Sequence, residues 1–109
     1  LIGADGLVAI SALLSSTKIT SLNLAKNQLC DVSYDFNANH AVRDGRLSGA
    51  YTTKGIAALA DGIRGNMVLT SLSLEENFIG DQGCIELADA LTQAQIASLN
   101  LHMNGMGVQ

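Results

Sequence analysis

The sequence predicts an α/β chain in which a parallel sheet is backed by helices, built from one short unit used three times. Two repeated patterns and their spacing point there. The segments ITSLNLAKNQL (19–29), LTSLSLEENFI (69–79) and IASLNLHMNGM (96–106) share the string L-x-x-L-x-L-x-x-N-x-L, with Ile or Met in some Leu places. Upstream of each lies a second shared pattern: GLVAISALL (6–14), GIAALADGI (55–63) and GCIELADAL (83–91). The asparagines of the last two strings are 27 residues apart and those of the first two are 50 apart, so about 23 residues are added between them.

Each string alternates as a strand does, with Leu22 and Leu24 on one face and Ser21 and Asn23 on the other. The upstream pattern has helical spacing. Leu7, Ile10, Ser11 and Leu14 fall at i, i+3, i+4 and i+7, matched by Ile56, Leu59, Ala60 and Ile63 and by Cys84, Leu87, Ala88 and Leu91. The small residue at the third place lets each helix sit close to its strand. Cys84 thus shares the first core position with Leu7 and Ile56 and reads as a small buried hydrophobe. Cys30, which opens the added block, reads as the more exposed thiol. A strand–turn–helix unit of about 27 residues cannot bury its apolar face alone, so neighbouring units stack.

Composition fits this reading and excludes others. Of the 109 residues 48% are hydrophobic, 15% charged and 4% aromatic, so the core is built from Leu, Ile, Val and Ala. No run approaches the roughly 18 apolar residues of a membrane span, and no membrane partner is expected. Two cysteines cannot form the disulfide framework of a small secreted domain. No bridge between them is expected, and no CxxC or Cys/His spacing supports zinc. A net charge of −4 argues against nucleic acid as a partner. The charge is uneven, with residues 1–60 at +1 and residues 61–89 at −5. No charged-then-apolar leader and no N-x-S/T acceptor site occurs, which favours a cytoplasmic location.

The L-x-x-L-x-L-x-x-N strings, together with IGDQGCIELADAL (79–91), resemble the leucine-rich repeat family in its longer ribonuclease-inhibitor-like subtype. The resemblance covers nearly the whole chain except the added block. It implies a curved α/β solenoid with strands on its concave face, a fold that usually binds other proteins. It also implies that Asn27, Asn77 and Asn104 form a structural ladder, their amides pairing backbone groups of the turns. Residues 1–6 match 78–83 and residues 106–109 match 79–82, so both ends fall inside a repeat. The chain is therefore expected to be an internal slice of a longer solenoid, a single segment over 1–109 with an inserted loop at about 30–52.

No cofactor, metal or catalytic group is expected. Ser21, Ser71 and Ser98 repeat one outward column and assemble no Ser–His–Asp grouping. Asp35-x-Asn37-x-Asn39 opens like a calcium loop, but His40 stands where Gly is required and Arg46 where Glu is required. Gly55 and Gly83 precede helices without any phosphate-binding context. Candidate binding residues on the concave face are Asn23, Lys26, Ser73, Glu75, Glu76, Asn100 and His102. His102 shares a column with Glu75, so a cross-strand pair between them is expected.

The concave strip has no aromatic anchor. Tyr34, Phe36 and Tyr51 lie in the added block, joined by Arg43 and Arg46, and these are the residue types that dominate interfaces. Val32, Tyr34 and Phe36 alternate as a short strand, and Asn37-Ala38-Asn39 and Asp44-Gly45 signal turns, so the block reads as a hairpin-like flap. Its replacement over 31–52 by a short turn is expected to preserve the repeats.

The function expected is a non-enzymatic module that presents its concave sheet and its flap to a protein partner. One alternative is an architectural or self-assembling spacer, associating through exposed repeat ends. A more remote one is a small-GTPase-activating leucine-rich repeat protein, with Arg43 or Arg46 as its finger.

Overall fold

The computed structural model describes residues 1–34, 47–102 and 104, with residues 33, 34, 47 and 48 described by their backbone alone. In chain order it holds α1 (Gly3–Ser11), a single 3-10 turn (Leu14–Ser16), β1 (Ser21–Asn23), β2 (Ser33–Tyr34), β3 (Leu47–Ser48), α2 (Lys54–Gly65), β4 (Ser71–Ser73), α3 (Gly80–Gln93) and β5 (Ser98–Asn100). Strands β1, β4 and β5 form a three-stranded parallel sheet in that order. The three strings pair without slippage: Leu22 stands opposite Leu72 and Leu72 opposite Leu99.

Packing follows the two periodicities. Helix α2 lies between α1 and α3 and buries Ile56, Leu59, Ala60 and Ile63, the stripe that its spacing predicts. Leu24, Leu72 and Leu74 meet these helix residues in one core. The α1–α2 approach depends on missing side chains. A Cβ at Gly62 would stand 2.7 Å from the Ser11 carbonyl oxygen, and one at Gly55 would stand 2.9 Å from that of Ala4. Any larger residue at either place forces the helices apart.

The two cysteines occupy the reverse of their expected environments. Cys84 is exposed, whereas Cys30 is 0% exposed and belongs to the core. The reason is position in the stack. Ile56 is covered because α3 follows α2, but among the described residues no helix covers the equivalent place on α3, and Ala88 is exposed with Cys84. Leu99 on the edge strand is 41% exposed for the same reason, while Leu72 on the central strand is 1% exposed. Cys30 follows Leu29 directly beneath the first string, and the returning chain closes over it.

The stem of the added block is an antiparallel pair of the kind a hairpin-like flap needs, with a returning strand at 47–48 that the sequence reading did not place. Strands β2 and β3 pair antiparallel, Ser33 opposite Ser48 and Tyr34 opposite Leu47. Phe36, Arg43 and Arg46 lie outside the described residues. The foot of the block is built into the fold, which corrects the expectation that all of 31–52 is dispensable. Asp31 Oδ1 accepts a hydrogen bond from the Ala4 N–H at 2.8 Å, so it caps α1 from outside the helix. Val32 is buried in the core. The Thr52 N–H donates to the Cys30 carbonyl at 3.1 Å, and the Tyr51 hydroxyl donates to the carbonyl of Ile79.

The replacement is therefore drawn within narrower limits. Replacing residues 35–46 with Asn-Gly joins the paired residues Tyr34 and Leu47 through a two-residue hairpin loop. The melting temperature is expected to stay within a few degrees of the parent, whereas replacement of 31–52 is expected to lower it sharply. Thermal unfolding followed by circular dichroism distinguishes the two.

Candidate functional site

The exposed face of the sheet is assembled by register. Ser21, Ser71 and Ser98 form one row across the three strands, and Asn23, Ser73 and Asn100 form the next. Backbone pairing continues past the strand ends: the Lys26 N–H donates to Glu75 O at 2.8 Å and the Glu76 N–H to His102 O at 3.0 Å. Lys26, Glu75, Glu76 and His102 therefore share one end of the face. All seven residues named for this face are at least partly exposed.

The turns behind this edge are unusual in backbone and repeat faithfully. Lys26 and Gln28 flank Asn27 at φ 61° and 51°, and Glu76 and Phe78 flank Asn77 at φ 58° and 54°. With Asp31 at φ 64°, five non-glycine residues among those described have positive φ, which indicates conformations imposed by their surroundings. At the four turn positions the asparagines impose them. Asn77 Oδ1 accepts from the N–H groups of Asn27 and Leu29 at 2.8 and 3.3 Å, and Asn104 Oδ1 accepts from those of Asn77 and Ile79 at 2.8 and 3.2 Å. Asn27 Oδ1 accepts from Ile2 N–H at 3.3 Å in the same manner. Each amide also donates to carbonyls, Asn77 Nδ2 to those of Leu24 and Leu74 at 2.8 and 3.0 Å.

Side chains on the face make short-range pairs. Asn23 and Asn100 each accept from the N–H two residues on, at 3.0 and 2.9 Å, which fixes both outward. Glu75 takes a hydrogen bond from Asn100 Nδ2 at 3.0 Å, so its partner among the described residues is Asn100 rather than the expected His102. Lys26 Nζ lies 3.9 Å from Glu76 Oε1, an exposed pair of little energetic weight. The face offers carboxylates, amides and hydroxyls, and among the described residues no group of three His, Cys, Asp or Glu side chains can hold a metal ion.

Tyr51 is only partly free for a partner, because its hydroxyl donates to Ile79 and lies beside Gly83 in the first turn of α3. Burial pushes the Cys30 thiol from its ordinary value of 9.0 up to about 11, aided by the nearby charge of Asp31 and opposed by the Tyr51 hydrogen bond. The folded chain then holds the thiol proton in a range where the unfolded chain releases it. Stability contributed by Cys30 is complete below pH 9 and is lost as pH rises toward 11. A melting-temperature series from pH 8 to 11 is expected to fall, and Cys30→Ala is expected to flatten that fall. A slope unchanged by the substitution would assign the loss to other groups.

Sequence reasoning missed two polar residues that set this geometry. Asn66, 5% exposed, donates to the Leu14 carbonyl at 2.9 Å and accepts from the N–H groups of Val68 and Leu69 at 2.8 and 2.7 Å. The Gly65-Asn66 turn signal was its only trace in the sequence. Asp31 left none, because its partner Ala4 is 27 residues away.

No helix among the described residues is long and apolar enough to cross a membrane. Comparison with protein-family models, with curated proteins and with solved structures yields no match.

Proposed function

We propose that the chain is a leucine-rich repeat module that binds a protein partner through the exposed face of its parallel sheet and has no catalytic activity of its own. The observation that carries this reading is the side-chain register of that face. Rows of Ser and Asn or Ser side chains repeat across three strands, while the opposite face is packed under helices. A surface whose shape is held by buried amides and whose outer groups are short and polar suits recognition rather than chemistry. The matched amide bonds of Asn27, Asn77 and Asn104 support the family reading. The added block serves as a second contact element beside the sheet.

Glu75 and Glu76 lie at one end of the face, in the band of the sequence that nets −5. A partner docking there presents basic groups, and charges at the edge of an interface act mainly on association rate. With a partner captured on the immobilised chain and identified, the double variant Glu75→Gln, Glu76→Gln is expected to slow association at low salt and to match the parent at high salt. An unchanged low-salt on-rate removes the sheet face from the interface. The 35–46 replacement run in parallel distinguishes binding by the sheet from binding by the added block.

A further inference from the structure

The helix layer holds a crevice that the sheet face does not use. It lies between α1 and α2, has a volume of about 280 Å³, and is lined by Val8, Ser11, Ala12 and Ser15 on one side and by Ala58 and Asp61 on the other. Ser11 is 2% exposed, and its hydroxyl has no hydrogen-bond partner among the described residues. A buried hydroxyl without a partner is rare enough to require an explanation. Val8, Ala12 and Ala58 supply an apolar lining, and Asp61 supplies a carboxylate.

The chain carries a template for what fills such a crevice. With Gly6, Gly55 and Gly83 aligned, Ser15 corresponds to Arg64 and Asp61 corresponds to Asp89. Between α2 and α3, Arg64 Nη2 crosses from one helix to the other and meets Asp89 Oδ2 at 3.2 Å. Between α1 and α2 the acid is kept as Asp61, but the aligned place of the arginine is held by Ser15, in the 3-10 turn that follows α1. Asp61 is engaged through Oδ1 by Arg64 of its own helix at 2.9 Å, and a carboxylate accepts further donors on its second oxygen.

We propose that this crevice receives an arginine side chain from a protein partner. The methylene stem lies along Val8, Ala12 and Ala58, and the guanidinium meets Asp61 and the hydroxyl of Ser11. Guanidinium fits better than ammonium because its planar fork offers several donors at once and gives up its hydration more easily. The occupant does from outside what Arg64 does within the chain one unit further on. This inference is independent of the sheet-face reading, since none of the crevice residues lies on the strands.

The test is a titration of isotope-labelled protein, read by amide chemical shifts. The probes are the tripeptide acetyl-Gly-Arg-Gly-amide and its citrulline counterpart, a neutral isostere. The arginine peptide is expected to move the signals of Val8, Ser11, Ala12, Ala58 and Gly62, and the citrulline peptide to leave them in place. Ser15→Arg is expected to supply the guanidinium within the chain, raising the melting temperature and abolishing the response, whereas Ser15→Gln does neither. Ser15 is exposed, so both variants are compatible with the fold. No response to the arginine peptide, an equal response to both peptides, or an undiminished response in the Ser15→Arg variant would overturn the proposal.

Discussion

Asn77→Ala is expected to lower the unfolding free energy by about 3–5 kcal/mol. Asn77 is 0% exposed, and its amide ties its own unit to the preceding one. Its oxygen accepts from Asn27 and Leu29, and its nitrogen donates to the carbonyls of Leu24, Leu74 and Glu75. Alanine leaves the Leu29 N–H and the Leu24 and Leu74 carbonyls buried without the amide, and each unpaired buried group costs about 1–3 kcal/mol. Small domains are stable by only about 5–15 kcal/mol, so the variant sits near the limit of folding. Asn23→Ala, which loses one exposed bond to Ala25, is the control and is expected to cost under about 1 kcal/mol. Urea denaturation measures both, and equal losses would deny the ladder its role.

Leu72→Ala is expected to cost about 2–5 kcal/mol, the range for truncating a buried leucine. Leu72 is 1% exposed on the central strand and lies opposite Leu22 and Leu99, so a cavity at this place is walled by three units. The same change at Leu99, on the edge strand, is expected to cost less than half as much because that side chain is already 41% in solvent. Two leucines of one string column thus separate burial from sequence pattern. A loss below about 0.5 kcal/mol at Leu72 would place it outside the core.

That contrast marks how much the sequence reveals. The repeated strings carry strand register and inward face, since Leu72 and Leu74 are buried where the alternation puts them. The helical spacing carries the α2 stripe for the same reason. Neither pattern records where a unit stands in the stack, and Cys84 and Leu99 are exposed on account of that position alone. Cys30 was misplaced by a different cause. Its burial comes from Tyr51 and Thr52, which return 21 residues or more later and close over it. On the sheet face, the residues expected to cluster do share one surface, because they follow from the strand period. The Glu75–Asn100 pair did not follow from it, since it depends on the reach of a side chain between neighbouring rows. The crevice did not follow from either period, since it depends on how α1 and the turn after it settle against α2.

The antiparallel pair at the foot of the added block has a consequence for how this chain can change. With Tyr34 held opposite Leu47, the ends of the intervening segment are fixed a strand's width apart, whatever lies between them. The entropy of closing that loop is charged once to the stem, and each doubling of its length adds only about 0.6 kcal/mol. The segment is thus a socket. Foreign peptides joined between Tyr34 and Leu47 meet the same stem whatever their length, with Asp31, Val32 and Tyr51 anchoring its base to the scaffold.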